Sequence, residues 1–167
     1  MIFNTIMVQL DVDSPAGPRT TYALELARRF EATLIGFAAA DAYVFVPGDD
    51  GGMAAAEIMR QRLTEIEDRL KILKEEFLAV VGDEASWREE IGDPTRLVAM
   101  HARAADLIVT GAPASGVAGD HHRVVDTGAL VLSAGRPVLI AADGLAPLDP
   151  KKVVVAWKDS REARRAV

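Results

Sequence analysis

The stretch from Asp106 to Ala142, DLIVTGAPASGVAGDHHRVVDTGALVLSAGRPVLIAA, decides the fold. It opens on an apolar run that stops at Gly111. A loop of small residues follows. Asp126 and Thr127 then stand ahead of a short helical pattern over residues 127–134, and Pro137 begins a second apolar run to Ala142. Buried strand, loop, capped helix, buried strand is a crossover unit of a parallel sheet. The same arrangement builds phosphate sites in open α/β sheets. A strand ends in Gly, and a helix N-terminus points its free N–H groups into the same crevice. Glycines that would complete such a site are missing further along the loop. The chain is therefore either a nucleotide-binding domain or a domain of that shape that has lost the ligand.

Working outward, residues 5–11 (TIMVQLD) form a short apolar run that stops at acids, a buried strand. Ser14, Pro15, Gly17 and Pro18 break it. Residues 19–30 then place Tyr22, Leu26 and Phe30 on one face at helical spacing. Residues 33–40 (TLIGFAAA) predict a second strand, and Pro47, Gly48, Gly51 and Gly52 mark residues 41–52 as a loop. The longest helix is predicted over residues 55–81, with Ile66, Leu70, Leu73, Phe77 and Val81 as its apolar stripe and Gly82 as its stop. Residues 85–91 are a third, less apolar strand suited to an edge. Asp93 and Pro94 start a helix that continues through Leu97, Val98, His101 and Ala105. Strands alternating with helices mean a parallel sheet with helices on both faces, although the pattern alone leaves the strand order open.

Composition narrows the function classes. The 167 residues suffice for one domain with a sizeable core. Net charge is −6, and no run of Lys and Arg rises above that background, which argues against a nucleic-acid partner. Arg161, Arg164 and Arg165 read as a solvated helix face. Cysteine is absent, which removes disulfides, thiol catalysis and Cys-ligated zinc. The N-terminus lacks a basic region and a cleavage site, and no apolar stretch is long enough to span a bilayer. A cytoplasmic location is expected, with no membrane partner.

Residues 143–150 (DGLAPLDP) read as a linker. The next stretch, KKVVVAWKDSREARRAV, looks like the start of the chain again. Val153 to Trp157 parallels Ile6 to Leu10, a polar turn follows, and a helix opens. The expectation is one complete unit over residues 1–142 and, over 151–167, the first strand and partial helix of a second copy. A strand that borrows a partner elsewhere is the other possibility.

Three segments carry a family resemblance: the first strand ending in Asp11; GDPTRLVAMHARAADLIVTG, residues 92–111; and SAGRPVLIAA, residues 133–142. In order and spacing they resemble the universal stress protein family in its tandem two-domain form. The resemblance implies an open five-stranded parallel sheet of order 3-2-1-4-5, a Rossmann-like α/β fold of the adenine nucleotide alpha hydrolase type. The switch point then lies between the first and fourth strands. It also implies a cofactor-binding set. Asp11 matches the strand-end acid, and Ala39 and Ala40 match positions whose backbone lies beside adenine. The ATP-binding branch carries Gly-x2-Gly-x9-Gly-Ser/Thr after the fourth strand. Gly111 matches its first glycine, but the second falls on Ala114, the third on Val124 and the hydroxyl on Val125. A β-branched Val neither adopts positive φ easily nor lets a phosphate approach the backbone, and Val125 donates no side-chain hydrogen bond. Gly116 and Gly119 are candidates for a different cradle.

Other candidates have plainer readings. Asp11 and Asp13 suit a ribose or metal contact, or a turn pair capping the loop before the first helix. His121 and His122, beside Asp120 and Asp126, lack the i, i+4 spacing that presents two metal ligands together. His101 fits packing at the apolar face of its helix. No catalytic residue and no metal ligand is assigned, and ATP or AMP remains the candidate ligand. Two functional readings follow. One is a stress-response binding or interaction module with a degenerate nucleotide site, acting through dimer or pseudo-dimer contacts. The alternative is an ATP- or AMP-binding protein, or a nucleotide-hydrolysing enzyme of the same fold. The strand from Pro137 to Ala142 is expected at the sheet edge, pairing with a second copy or a second tandem domain.

Overall fold

The computed structural model describes residues 3–43, 52–112, 121–141 and 151–166. Five strands make a parallel sheet: β1 (Thr5–Leu10), β2 (Thr33–Ala40), β3 (Ala85–Ile91), β4 (Leu107–Gly111) and β5 (Val138–Ala141). Their order is β3-β2-β1-β4-β5, the order the resemblance implies. Four helices cover it: α1 (Gly17–Phe30), α2 (Gly52–Val81), α3 (Pro94–His101) and α4 (Thr127–Ser133); a short α5 (Ala163–Ala166) lies in the tail.

The two faces follow from the two-residue period of a strand. Ile6, Val8 and Leu10 of β1 point to the layer of α1 and α2, against Tyr22, Leu26, Ile66, Leu70, Leu73 and Phe77. Met7 points the other way, with Phe37 and Ile108, to Leu97 and Val98 of α3 and Leu130 of α4. Because both faces are covered, β1 and β2 are apolar almost without interruption. β3 carries exposed Ser86, Arg88, Glu89 and Glu90 and lies at an edge, where such residues discourage further pairing.

One glycine is set by close approach. A Cβ on Gly36, in the middle of β2, would lie 2.8 Å from both the Phe77 and the Trp87 rings. Those rings sit 5.3 Å apart at 44°, so Gly36 leaves room for the aromatic pair that pins α2 across β2 and β3.

Helix ends follow the local chemistry, with adjustments. Asp93 accepts the Arg96 N–H at 2.8 Å with Pro94 in the first turn, and Asp126, not Thr127, caps α4 by accepting the Ala129 N–H at 3.0 Å. α1 starts at Gly17, two residues before the predicted start at residue 19, with Pro18 in its first turn. No side chain of its own loop caps it. The Ala16 N–H donates instead to Glu76 Oε2 of α2 at 3.0 Å, so Asp11 and Asp13 are not helix caps. α2 runs back to Gly52, the last residue of the segment that local composition marks as loop. α3 stops at His101 and a 3₁₀ turn, Ala102–Ala104, completes the crossover.

The tail differs from the sequence pattern in one respect. Val153 to Trp157 is no strand: Val153 is 75% and Val154 94% exposed, and no strand partner occurs among the described residues. An apolar run becomes a parallel strand only where neighbours complete its backbone hydrogen bonds and layers cover its faces. Neither is available to it here. Ala142 and the predicted linker, residues 143–150, lie outside the described residues. No described helix is long and apolar enough to cross a membrane.

Candidate functional site

β1 pairs with β4 at Ile6–Leu107, Met7–Ile108 and Val8–Val109, and the pairing stops there. The chain winds one way through β2 and β3 and the other way through β4 and β5, so the strand order reverses at this parting. Crevices at the carboxyl ends of such strands are where open α/β sheets bind ligands.

Two polar side chains stand at the parting, each only 1% exposed: Gln9 and Thr110. Thr110 Oγ1 donates to Gln9 Oε1 at 2.7 Å, and Gln9 Nε2 donates to Asp11 Oδ1 at 2.8 Å. Both ends of the buried amide are thus satisfied, as burial demands. Arg19 reaches across from the first turn of α1. Its Nη1 donates to the Gln9 carbonyl at 2.9 Å and to Asp11 Oδ2 at 3.0 Å. The Arg19 and Asp11 side chains are 14% and 15% exposed. A Cβ on Gly111 would lie 2.0 Å from Arg19 Nη2 and 2.6 Å from Cζ, so the guanidinium rests against the end of β4.

The neighbouring strand end is also occupied. Ala39 and Ala40 are buried, and the Ala40 carbonyl accepts the Gly92 N–H at 2.9 Å. The next N–H, that of Asp41, donates to the His122 carbonyl at 2.6 Å. The His122 ring stacks on Tyr43 with centroids 4.5 Å apart, and its Nδ1 lies 3.5 Å from Asp41 Oδ2.

Residues 121–126 form a strap across these strand ends. Arg123 grips Asp13 with a two-pronged hydrogen bond, 2.6 Å from Nε and 2.8 Å from Nη2, and reaches Glu65 of α2 at 3.2 Å. The bond from Arg123 holds the Asp13 carboxyl below the usual carboxylate range, against the opposing effect of burial. Arg69 Nε donates to the Val12 carbonyl at 3.0 Å on the same side. Val124 is half-buried; Val125 is 8% exposed and belongs to the apolar cluster of Met7, Phe37 and Leu97. The Asp126 N–H donates to Thr95 Oγ1 at 2.9 Å and closes the strap onto α3.

The structure therefore joins Asp11 to Gly111 through Arg19 and sets Ala39 and Ala40 beside the strap that holds Val124 and Val125. Ala114 and Gly116 lie outside the described residues. Sequence reasoning missed Gln9, Thr110, Arg19 and Arg123. Gln9 offered a signal, since a polar residue inside the run IMVQL must find partners when buried. Arg19 and Arg123 offered none, because their roles depend on what the fold brings near them. His101 is packed: its ring lies 4.6 Å from Phe37 and its Nε2 2.8 Å from Glu90 Oε2. Among the described residues no group of three or more His, Asp or Glu is placed to hold a metal. A separate open cleft of about 760 Å³ runs between α3 and α4, lined in part by Arg96, Met100, Arg103 and His121. Its carboxylates, Asp93 and Asp126, are already engaged as helix caps.

Comparison with known proteins agrees with this architecture. A universal stress protein solved in complex with cAMP is 21% identical, with a TM-score of 0.55, over 85% of this chain and 98% of its own. Universal stress protein UspA from Lactobacillus plantarum is 19% identical, with a TM-score of 0.58, over 84% of this chain and 98% of its own. At this identity the likeness is one of fold. No protein of curated function matches the chain. The model of the universal stress protein family matches residues 3–141, which span the whole sheet and its four covering helices. This chain belongs to the universal stress protein family.

Proposed function

We propose that this chain is a stress-response binding or interaction module whose nucleotide site is degenerate. One observation carries the reading. The strap 121–126 fills the base end of the crevice from within: the His122 carbonyl takes the Asp41 N–H, and Val125 turns into the core. A base edge would have to compete for a backbone donor already bonded at 2.6 Å. Val125, at the position the ATP-binding branch gives to a hydroxyl, contributes packing instead. A fold neighbour binds cAMP, so an adenine nucleotide is the ligand class to test.

Calorimetric titration with ATP at millimolar concentration is expected to give little heat. A low-micromolar dissociation constant would overturn the reading. Replacing Ala114→Gly, Val124→Gly and Val125→Ser together is expected to strengthen binding. Val125→Ser exchanges a buried aliphatic for a polar side chain and costs about 1–3 kcal/mol, so the variant is compared below its own melting temperature.

The module acts through the β5 edge, which pairs with a second copy of the domain. Ile140 on β5 is 47% exposed, and on the adjoining α4 Val131 is 53% and Leu132 90% exposed. An apolar edge with uncovered apolar neighbours is a pairing surface. Light scattering on the chain is expected to show a dimer, and Ile140→Lys to reduce its mass toward that of one chain. A mass of one chain at every concentration would sink this part.

A further inference from the structure

We infer that Arg19 is a built-in occupant of the β1–β4 crevice, and that its guanidinium, more than the altered loop, keeps adenosine-type ligands out. The inference rests on the degenerate-site reading and names the group responsible for exclusion.

Four observations converge on it. First, the guanidinium lies where β1 and β4 stop pairing, the switch point at which open α/β sheets bind ligands between strand ends. Second, it uses the groups a ligand needs. Nη1 takes the Gln9 carbonyl, which the divergence of β1 and β4 leaves open, and Asp11, the strand-end acid. Third, it covers Gly111. The absent Cβ that would let a phosphate approach the strand end instead admits Nη2, whose centre lies 2.0 Å from the position a Cβ would take. Fourth, the occupant is fixed. Gln9 is anchored by the buried Thr110 hydroxyl, and Gln9 Nε2 orients the Asp11 carboxylate that receives Arg19. Arg19 also neutralises Asp11 in a site that is mostly desolvated, so an entering ribose or phosphate must break a charge-assisted bond.

The pairing explains two residues together. Arg19 fits only because residue 111 has no side chain, and Gly111 serves Arg19 with no ligand present.

Arg19→Ser tests the inference. Its smaller side chain vacates the crevice while Asp11 keeps its bond from Gln9. Titrations with adenosine and with AMP are run on the wild type and on the variant. The expected result is at most weak, millimolar binding to the wild type and an association constant at least about tenfold higher for both ligands in Arg19→Ser. Adenosine carries no phosphate, so its gain separates an opened crevice from a repaired phosphate loop. A folded Arg19→Ser that binds neither ligand better overturns the inference and leaves the degenerate-site reading intact. AMP binding that weakens on Arg19 replacement also overturns it, since Arg19 is then an anchor. Micromolar binding to the wild type overturns the degenerate-site reading itself.

A second arm holds if Arg19→Ser folds poorly. Gly111→Ala is expected to lower the melting temperature of the wild type, because the new methyl displaces the guanidinium. The same change in an Arg19→Lys background, with a slimmer head group, is expected to lower it less. Equal losses in both backgrounds would show that Arg19 does not occupy this place.

Discussion

Phe77→Ala is expected to remove about 3–5 kcal/mol of stability, the range for truncating a fully buried aromatic side chain. Phe77 has no exposed surface, and it joins the longest helix to the sheet by lying over Gly36 and against Trp87. For a domain of this size the loss lowers the melting temperature by about 10 °C. Gly36→Ala is destabilising for the opposite reason, since the added methyl would lie 2.8 Å from the Phe77 and Trp87 rings. Combined, the two changes partly cancel: the alanine methyl occupies space that the phenyl ring has left. The double variant is expected to be more stable than the sum of the single losses by about 1 kcal/mol. Urea titrations of the four proteins check this. Strict additivity would mean that Gly36 and Phe77 do not share the space described here.

Asp11→Ala should cost about 2 kcal/mol. It leaves the Arg19 guanidinium without its carboxylate. The cost stays below the roughly 3–5 kcal/mol of a fully buried broken pair because solvent still reaches both groups. Gln9 retains the Thr110 hydroxyl but loses the acceptor for its own amide nitrogen. With Arg19→Ser already in place, Asp11→Ala should cost less than half as much, since no uncompensated cation remains. Denaturant titration of the double-mutant cycle gives the comparison. An undiminished cost in the Arg19→Ser background would show that Asp11 stabilises the domain by some other contact.

Both effects belong to positions where one residue's identity makes sense only beside another. Gly36 is, in the fold, the space for an aromatic pair. Gly111 reads as a phosphate-loop glycine, and in the fold it seats Arg19. Val125 reads as a lost hydroxyl, and in the fold it is core. At Gly111 and Val125 the sequence marks the position as unusual, and at all three the neighbour supplies the reason.

Periodicity and punctuation were enough to place every strand of the sheet and its four covering helices, most of them within two residues. The caps at Asp93 and Asp126 are local chemistry, set within four consecutive residues, and so they are legible without a fold. The edge position of β3 is legible for a similar reason: its run of Arg and Glu cannot be buried on both faces. Strand order came from the resemblance and not from periodicity, because hydrogen bonds between strands leave no trace in either strand's own pattern. The tail shows the limit most clearly. Val153 to Trp157 has the composition of a central strand, yet with no neighbour among the described residues to complete its backbone it forms none.

The sequence by itself determined the layers and the crossover units, because burial of an apolar face is a property of each segment. Only the tertiary structure decided what fills the crevice. Arg19 lies ten residues from Gln9, and Arg123 lies 110 from Asp13. A charged side chain takes its partner from whatever the fold brings within hydrogen-bonding reach, and that distance is fixed only when the sheet has closed around it.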